Sequence, residues 1–330
     1  MRYRLLGQTG LRISGLFLGT MTFEDPEKAR RILDRYDAAG GNVVDTASFY
    51  GGGRSETVLG ELLEGRRDRF VVATKYAVSR DDGDPNASGG HRKNLTLSLE
   101  ASLRRLRTDY VDLYWVHLWD RHTPVEETMR ALDDAVRAGK ILYVGVSNAP
   151  AWVVARANTL AEWRGWTPFA GLQVPYNLLN RDIERELLPM AETLGMTVAA
   201  WSPLAHGLLS GRFAGGEPLP GGPLAPRSLG ARELAVIGAL REAAAESGAT
   251  PAQVAIAWIR ARSAAVHPIL GADDAEQIGE TLAAADLTLP QDVLRRLDAA
   301  ADFTLGYPGD FLAKVGPQVF GAAHASIDGR

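Results

Sequence analysis

Short runs of β-branched and apolar residues alternate about eight times along this chain with longer segments of helical period, which leaves few architectures open. Repeated βα units build a parallel sheet covered by helices. The predicted strands are Leu16 to Gly19, Asn42 to Asp45, Phe70 to Thr74, Val111 to Val116, Leu142 to Ser147, Gly171 to Val174, Thr197 to Trp201 and Val266 to Leu270. Pro26 to Ala39 reads as a helix with proline in its first turn and Gly40 as its stop. Asn94 to Arg107 reads as another, with leucine at 95, 99, 103 and 106 and arginines late. Ahead of the first strand, YRLLGQTGLRIS reads as a hairpin suited to closing the bottom of a barrel. At 330 residues the chain could hold two ordinary domains, yet α/β barrels of this size are routinely one. One domain over 1–330 is expected, with a tail from about Phe303.

Three stretches depart from the bare repeat. SRDDGDPNASGGHRKN, from Ser79 to Asn94, is polar and glycine-rich and follows the third strand. GEPLPGGPLAPRSLG, from Gly216 to Gly230, is a Pro/Gly-rich excursion after the seventh. The tail carries Tyr307, Phe311 and Phe320 among glycines and prolines. Loops after strands are where barrels keep their chemistry, so the first two are candidate lids or cofactor clasps.

Composition removes several classes of function. With 46% hydrophobic and 23% charged residues the chain is an ordinary globular sequence. A net charge of -4, with basic residues dispersed among acids, gives no footprint for nucleic acid. The chain has no cysteine, and its six histidines lack metal-site spacing, so neither a disulfide nor a metal is expected. No apolar run approaches the ~20 residues that span a bilayer, and MRYRLLGQTG is too polar for a secretion signal. No membrane association and a cytoplasmic location are therefore expected.

Asp45, Tyr50, Lys75 and His117 stand at or just past the ends of three predicted strands, NVVDT, FVVATK and VDLYWVH, and would share one rim of a parallel barrel. Together they make a tuned acid. A tyrosine with an ordinary pKa near ~10 protonates a carbonyl poorly at neutral pH. A neighbouring Lys75 would favour the phenolate, Asp45 would hold Lys75 charged and oriented, and His117 would orient a substrate oxygen or pass a proton. Singly, each residue is as well explained by a turn cap, a solvated strand end or packing. Their joint placement is what points to a site.

The words DTASFYGGGRSETVLG, ATK, DYVDLYWVH, VGVSN, QVPYN and WSPLAHGLLSGR occur in the order found in aldo-keto reductases, and the resemblance runs from residue 3 to about 300. GDPNASGGHRKN and HLWD resemble the aryl-alcohol dehydrogenase and bacterial reductase branches. The resemblance implies a (β/α)8 TIM barrel with extended loops at its C-terminal face. It implies the same four roles, with Tyr50 as general acid, and reduction of an aldehyde or ketone by hydride from a nicotinamide.

The later motifs concern that cofactor. Ser147, Asn148 and Gln173 resemble the residues that bond the nicotinamide carboxamide, and Trp201 stands where many relatives stack a tyrosine. Ser202, Leu204, Gly207, Leu208 and Arg212 match the segment that wraps the pyrophosphate. There is no GxGxxG after a first strand, so a Rossmann domain is not indicated. Relatives commonly read G-A-R-x-x-x-Q-x-x-E-N after the eighth strand, whereas this chain reads GADDAEQIGET from Gly271 to Thr281. Gln277 and Glu280 keep the pattern, but Asp273 replaces the arginine. NADP(H) is implied by resemblance, and NAD(H) by Asp273, which would repel a 2′-phosphate and accept from a 2′-hydroxyl. Both aspartates read equally well as N-terminal acids of a helix. Arg227 is a candidate replacement cation.

Phe23, Phe49 and Trp119, with Tyr307 or Phe311 from the tail, are the expected lining of a pocket for a small carbonyl or alcohol substrate. Such a lining suits an aryl group but also a sugar. His91, Arg92 and Lys93 read best as a solvated helix end. The rival to an enzyme is a nucleotide-sensing subunit resembling potassium-channel β subunits, and the sequence leaves the oligomeric state open.

Overall fold

In a computed structural model, described here for residues 1–212 and 229–327, the eight repeats close on themselves. A two-stranded antiparallel hairpin comes first, β1 (Tyr3–Leu5) with β2 (Arg12–Ser14). The barrel strands are β3 (Phe17–Gly19), β4 (Val43–Asp45), β5 (Val71–Tyr76), β6 (Val111–Val116), β7 (Ile141–Ser147), β8 (Phe169–Pro175), β9 (Thr197–Trp201) and β10 (Val266–Leu270). Each pairs in parallel with the next, and β10 pairs with both β9 and β3, so no edge is left. The chain is a (β/α)8 TIM barrel with an N-terminal hairpin.

Helix starts follow local chemistry. Asp25 accepts from the N–H groups of Glu27 and Lys28 and caps a helix over Pro26–Ala38, close to its expected span. The helix expected from Asn94 starts two residues earlier, at Arg92–Leu106, because the His91 imidazole accepts from Asn94 N–H and serves as the cap. The tail, expected only as a stretch outside the repeat, forms a helix over Gly309–Phe320.

Two apolar bodies hold the fold. The larger lies between barrel and helices, and the smaller fills the barrel with Leu6, Ile13, Phe17, Val43, Val71, Ala73, Leu113, Trp115, Ala199 and Ile269. Leu6 and Ile13 come from the hairpin, which therefore plugs the barrel as its sequence implies. Gly7 N–H, just past β1, donates to Thr197 Oγ1 at 2.8 Å and fastens that plug to β9. The indole of Trp115 is the largest group inside and is fully buried. It fits because its neighbours are small. A Cβ added at Gly145 would stand 2.3 Å from Trp115 Cε3, and one at Gly171 2.9 Å from its Cη2. Inward positions alternate along each strand, so the same faces that carry these packing residues carry Asp45, Lys75, Ser147 and Gln173 at their C-terminal ends.

Candidate active site

Lys75 is fully buried near the end of β5, where burial alone would drive its ammonium to neutrality. Three acceptors prevent that. Its Nζ donates to Asp45 Oδ2 at 2.6 Å, to Thr46 O at 2.7 Å and to Tyr50 Oη at 3.2 Å. Burial, the largest influence, pulls the lysine down, but the charges and hydrogen bonds of Asp45 and Tyr50 outweigh it and the net direction is up. Lys75 is thus held as an ammonium against the phenol oxygen. Tyr50 begins a tight turn over Tyr50–Gly53 after β4, and Gly51, Gly52 and Gly53 all take positive φ there. That turn folds the ring back over Lys75, whose Nζ stands 4.8 Å from the ring centre.

His117 follows β6 directly and meets Tyr50 edge to face, with ring centres 6.1 Å apart. Burial, then the Lys75 charge, pulls its imidazole down to about 3, so it is neutral at physiological pH. Its Nδ1 is buried with no partner among the described residues. The four residues expected to meet do meet.

Next to them lie the proposed carboxamide ligands. Ser147 and Gln173 pair in register on β7 and β8, and Asn148 follows with a left-handed φ of 53°. Asn148 Nδ2 donates to His117 O at 3.0 Å and to Ser147 Oγ at 2.8 Å, while its Oδ1 accepts from Trp201 Nε1 at 3.3 Å. Gln173 Nε2 donates to Asp45 Oδ1 at 3.0 Å. One hydroxyl and two amides, all uncharged, converge beside the indole of Trp201, a donor set that fits a carboxamide. After β9, Ser202, Ala205, His206 and Gly207 all take positive φ, and the chain winds in tight turns. Gly207 has open space where a Cβ would stand, as has Gly271 after β10. The side chain of Leu208 is buried and its N–H is given to Ala205 O; Leu204 packs partly on the outer core, and Arg212 is exposed. Backbone and Arg212, rather than the leucine side chains, are the parts that a phosphate could meet.

The segment after β10 resolves one ambiguity of the sequence. Asp274 caps the helix over Ala275–Leu282, accepting from Gln277 N–H at 2.8 Å, so it serves as the N-terminal acid. Asp273 is exposed, and its own N–H is taken by Gln277 Oε1 at 2.6 Å. Glu280 is half-buried, and its carbonyl accepts from Gln253. Arg227 lies outside the described residues, as does most of the excursion that carries it. The other stretch, after β5, is tied down rather than free: Gly89 N–H donates to Ala77 O, Gly90 N–H to Asp120 and Arg80 to Asn94.

The aromatic lining divides. Phe49 is 57% exposed and Trp119 36% exposed, both open to a ligand. Phe23 is not: at 1% exposure it sits in the outer core, its N–H bonded to Thr20 O, because the turn after β3 tucks its ring inward. Tyr307 and Phe311 meet each other in the tail at a tilt of 41°, with ring centres 6.1 Å apart. The sequence reading missed Trp152. It lies in the first turn of the helix over Ala151–Arg164, is well exposed, and meets Trp119 edge to face at 5.8 Å. Its signal was an aromatic two residues into the helix that follows Ser147 and Asn148. Among the described residues no cluster suits a metal ion, and no helix is long and apolar enough to cross a membrane.

A closed (β/α)8 barrel whose C-terminal rim carries a buried ammonium on a tyrosine hydroxyl, with amides at the adjoining strand ends, defines the class: a barrel oxidoreductase. The aldo/keto reductase family profile matches residues 15–302, and the chain belongs to that family. It is 36% identical to norsolorinic acid reductase of Aspergillus flavus, over 99% of this chain and 88% of the relative. It is 38% identical to norsolorinic acid reductase stcV of Emericella nidulans, over 92% and 82%. A putative aryl-alcohol dehydrogenase of Saccharomyces cerevisiae, AAD14, is 35% identical over 93% and 88%. The chain is accordingly an oxidoreductase that uses a nicotinamide cofactor on small-molecule carbonyl substrates.

Proposed function

We propose that this protein reduces an aryl aldehyde or ketone, with Tyr50 as the proton donor. The observation that carries the reading is the buried Lys75 ammonium, bonded at once to Asp45 and to the Tyr50 hydroxyl. As a carbonyl oxygen gains negative charge, Tyr50 gives it the hydroxyl proton, and the phenolate left behind faces the Lys75 charge. Asp45 keeps Lys75 charged and aimed. His117, neutral under working conditions, orients the substrate oxygen by hydrogen bonding rather than acting as an imidazolium acid. Bound reduced nicotinamide supplies the hydride. Ser147, Asn148 and Gln173 would hold its carboxamide, Trp201 would offer an aromatic face to its ring, and Gly207, Arg212, Gly271, Gln277 and Glu280 would hold the rest.

The exposed ring of Phe49 and the exposed pair of Trp119 and Trp152 support an aromatic substrate, as do relatives named for aryl alcohols. Asp273, exposed where relatives commonly place an arginine, supports a preference shifted from NADPH toward NADH. The test is a screen of aryl aldehydes with both reduced nicotinamides, repeated with Tyr50→Phe. Turnover that survives Tyr50→Phe undiminished defeats the mechanism, and nucleotide binding with no turnover of any carbonyl favours a sensor.

A further inference from the structure

Gln173 reaches across the mouth of the barrel. In the closed order of eight strands β8 stands opposite β4, with three strands between them on either side, yet Gln173 Nε2 lies 3.0 Å from Asp45 Oδ1. The other oxygen of that carboxylate, Oδ2, accepts from Lys75 Nζ at 2.6 Å, and Lys75 in turn bonds Tyr50 Oη at 3.2 Å. Gln173, Asp45 and Lys75 are all buried, at 3%, 2% and 0% exposure. A single bond to Lys75 would leave the carboxylate plane free to swing about it. The second bond fixes the plane, and bulk water has no access to supply a substitute.

We propose that Gln173 is a positioning residue for proton delivery, acting through Asp45 and Lys75 on Tyr50, besides any contact it makes with the cofactor. The proposal rests on the carbonyl-reductase reading above. The side chain taken to hold the carboxamide is thereby also the far anchor of the acid. Ser147, by contrast, has no bond to the tyrosine's partners among the described residues, its hydroxyl accepting only from Asn148. A residue that merely binds cofactor affects how much cofactor is needed. A residue that also anchors the acid affects turnover when cofactor is saturating.

The experiment uses the full chain, 4-nitrobenzaldehyde and saturating reduced nicotinamide, with Gln173→Met and Gln173→Glu. Methionine keeps length and loses the donor, so kcat should fall roughly tenfold, the order expected for one hydrogen bond to a charged group. Glutamate has glutamine's shape and donates to Asp45 only when protonated. Its kcat relative to the parent should therefore approach one in acid and fall toward the methionine level as pH rises. The titratable groups facing this position, Asp45, Lys75, Tyr50 and His117, are common to both proteins, so the ratio isolates residue 173. An unchanged kcat in Gln173→Met with only the cofactor KM raised, or a Gln173→Glu ratio flat with pH, overturns the proposal. Should Gln173→Met fail to fold, the Gln173→Glu ratio decides alone. A parent protein that turns over no aldehyde defeats the functional reading instead, a separate result.

Discussion

Replacing Asp45 by asparagine should cost stability in a way that depends on pH, and the dependence identifies the cause. In the parent protein Lys75 is held above its ordinary value of 10.5, so the stability that it contributes is complete below about 10.5 and is lost only as pH rises through the raised value. Burial is the largest influence on this lysine and acts downward; Asp45 is the chief opposing charge. In Asp45→Asn the ammonium keeps Thr46 O at 2.7 Å and Tyr50 Oη at 3.2 Å but loses its counter-ion. Its titration in the folded state should then drop below 10.5. The sign of the dependence therefore reverses. The unfolded chain now binds the proton more tightly, so the deficit is full at neutral pH and shrinks as pH climbs toward 10.5. Breaking a buried pair by removing one partner costs about 3–5 kcal/mol. Full burial of Lys75 and a 2.6 Å contact place this pair within that range. Urea unfolding of both proteins at pH 7 and at pH 9.5 measures the deficit. A loss below about 1 kcal/mol at pH 7, or the same loss at both pH values, would refute the argument.

Three further outcomes are expected. His117 and His267 resist protonation down to about 3 and about 4, chiefly through burial, so stability should be complete above about pH 6.5 and fall as acid is added. His267→Gln should flatten part of that fall in urea titrations from pH 7 to 4, whereas an unchanged slope would show that His267 protonates freely when folded. Gly145→Ala should destabilise the barrel by about 3 kcal/mol or more, since its methyl meets Trp115, and Trp115→Leu in the same chain should recover much of the loss in thermal melts. Asp273→Arg should lower the KM for NADPH relative to NADH by roughly tenfold, a new charge-assisted contact being worth about 1.4 kcal/mol or more. Parallel initial-rate measurements with both cofactors would reveal the change.

The alternation of strand and helix and the inward sequence of Asp45, Lys75 and His117 could be read in advance because periodicity of two fixes which side of a strand faces the barrel axis. Apart from Tyr50, what escaped was set by how loops close. A phenylalanine in a six-residue turn reads the same whether its ring enters a pocket or the core, and only the packing of the folded turn, which leaves Phe23 1% exposed, settles it inward. Trp152 meets Trp119 because two neighbouring βα units bring loops together that lie over thirty residues apart. The bond between Gln173 and Asp45, 128 positions apart, exists only because the sheet is closed. Of the two aspartates at 273 and 274, a cap and a free acid look alike until one of them is seen accepting from Gln277.

Trp115 and the glycines at 145 and 171 also limit how a protein of this kind can diversify. An indole wedged against two positions that tolerate no side chain makes the interior an interlock, in which a change at one member is harmful until another changes with it. Mutational drift cannot cross such a position one step at a time. Novelty in what the protein accepts must then accumulate on the rim, around Phe49, Trp119 and Trp152, where an exposed ring can be exchanged without disturbing the floor beneath. An engineer seeking a new substrate would randomise those three positions and leave the wedge untouched.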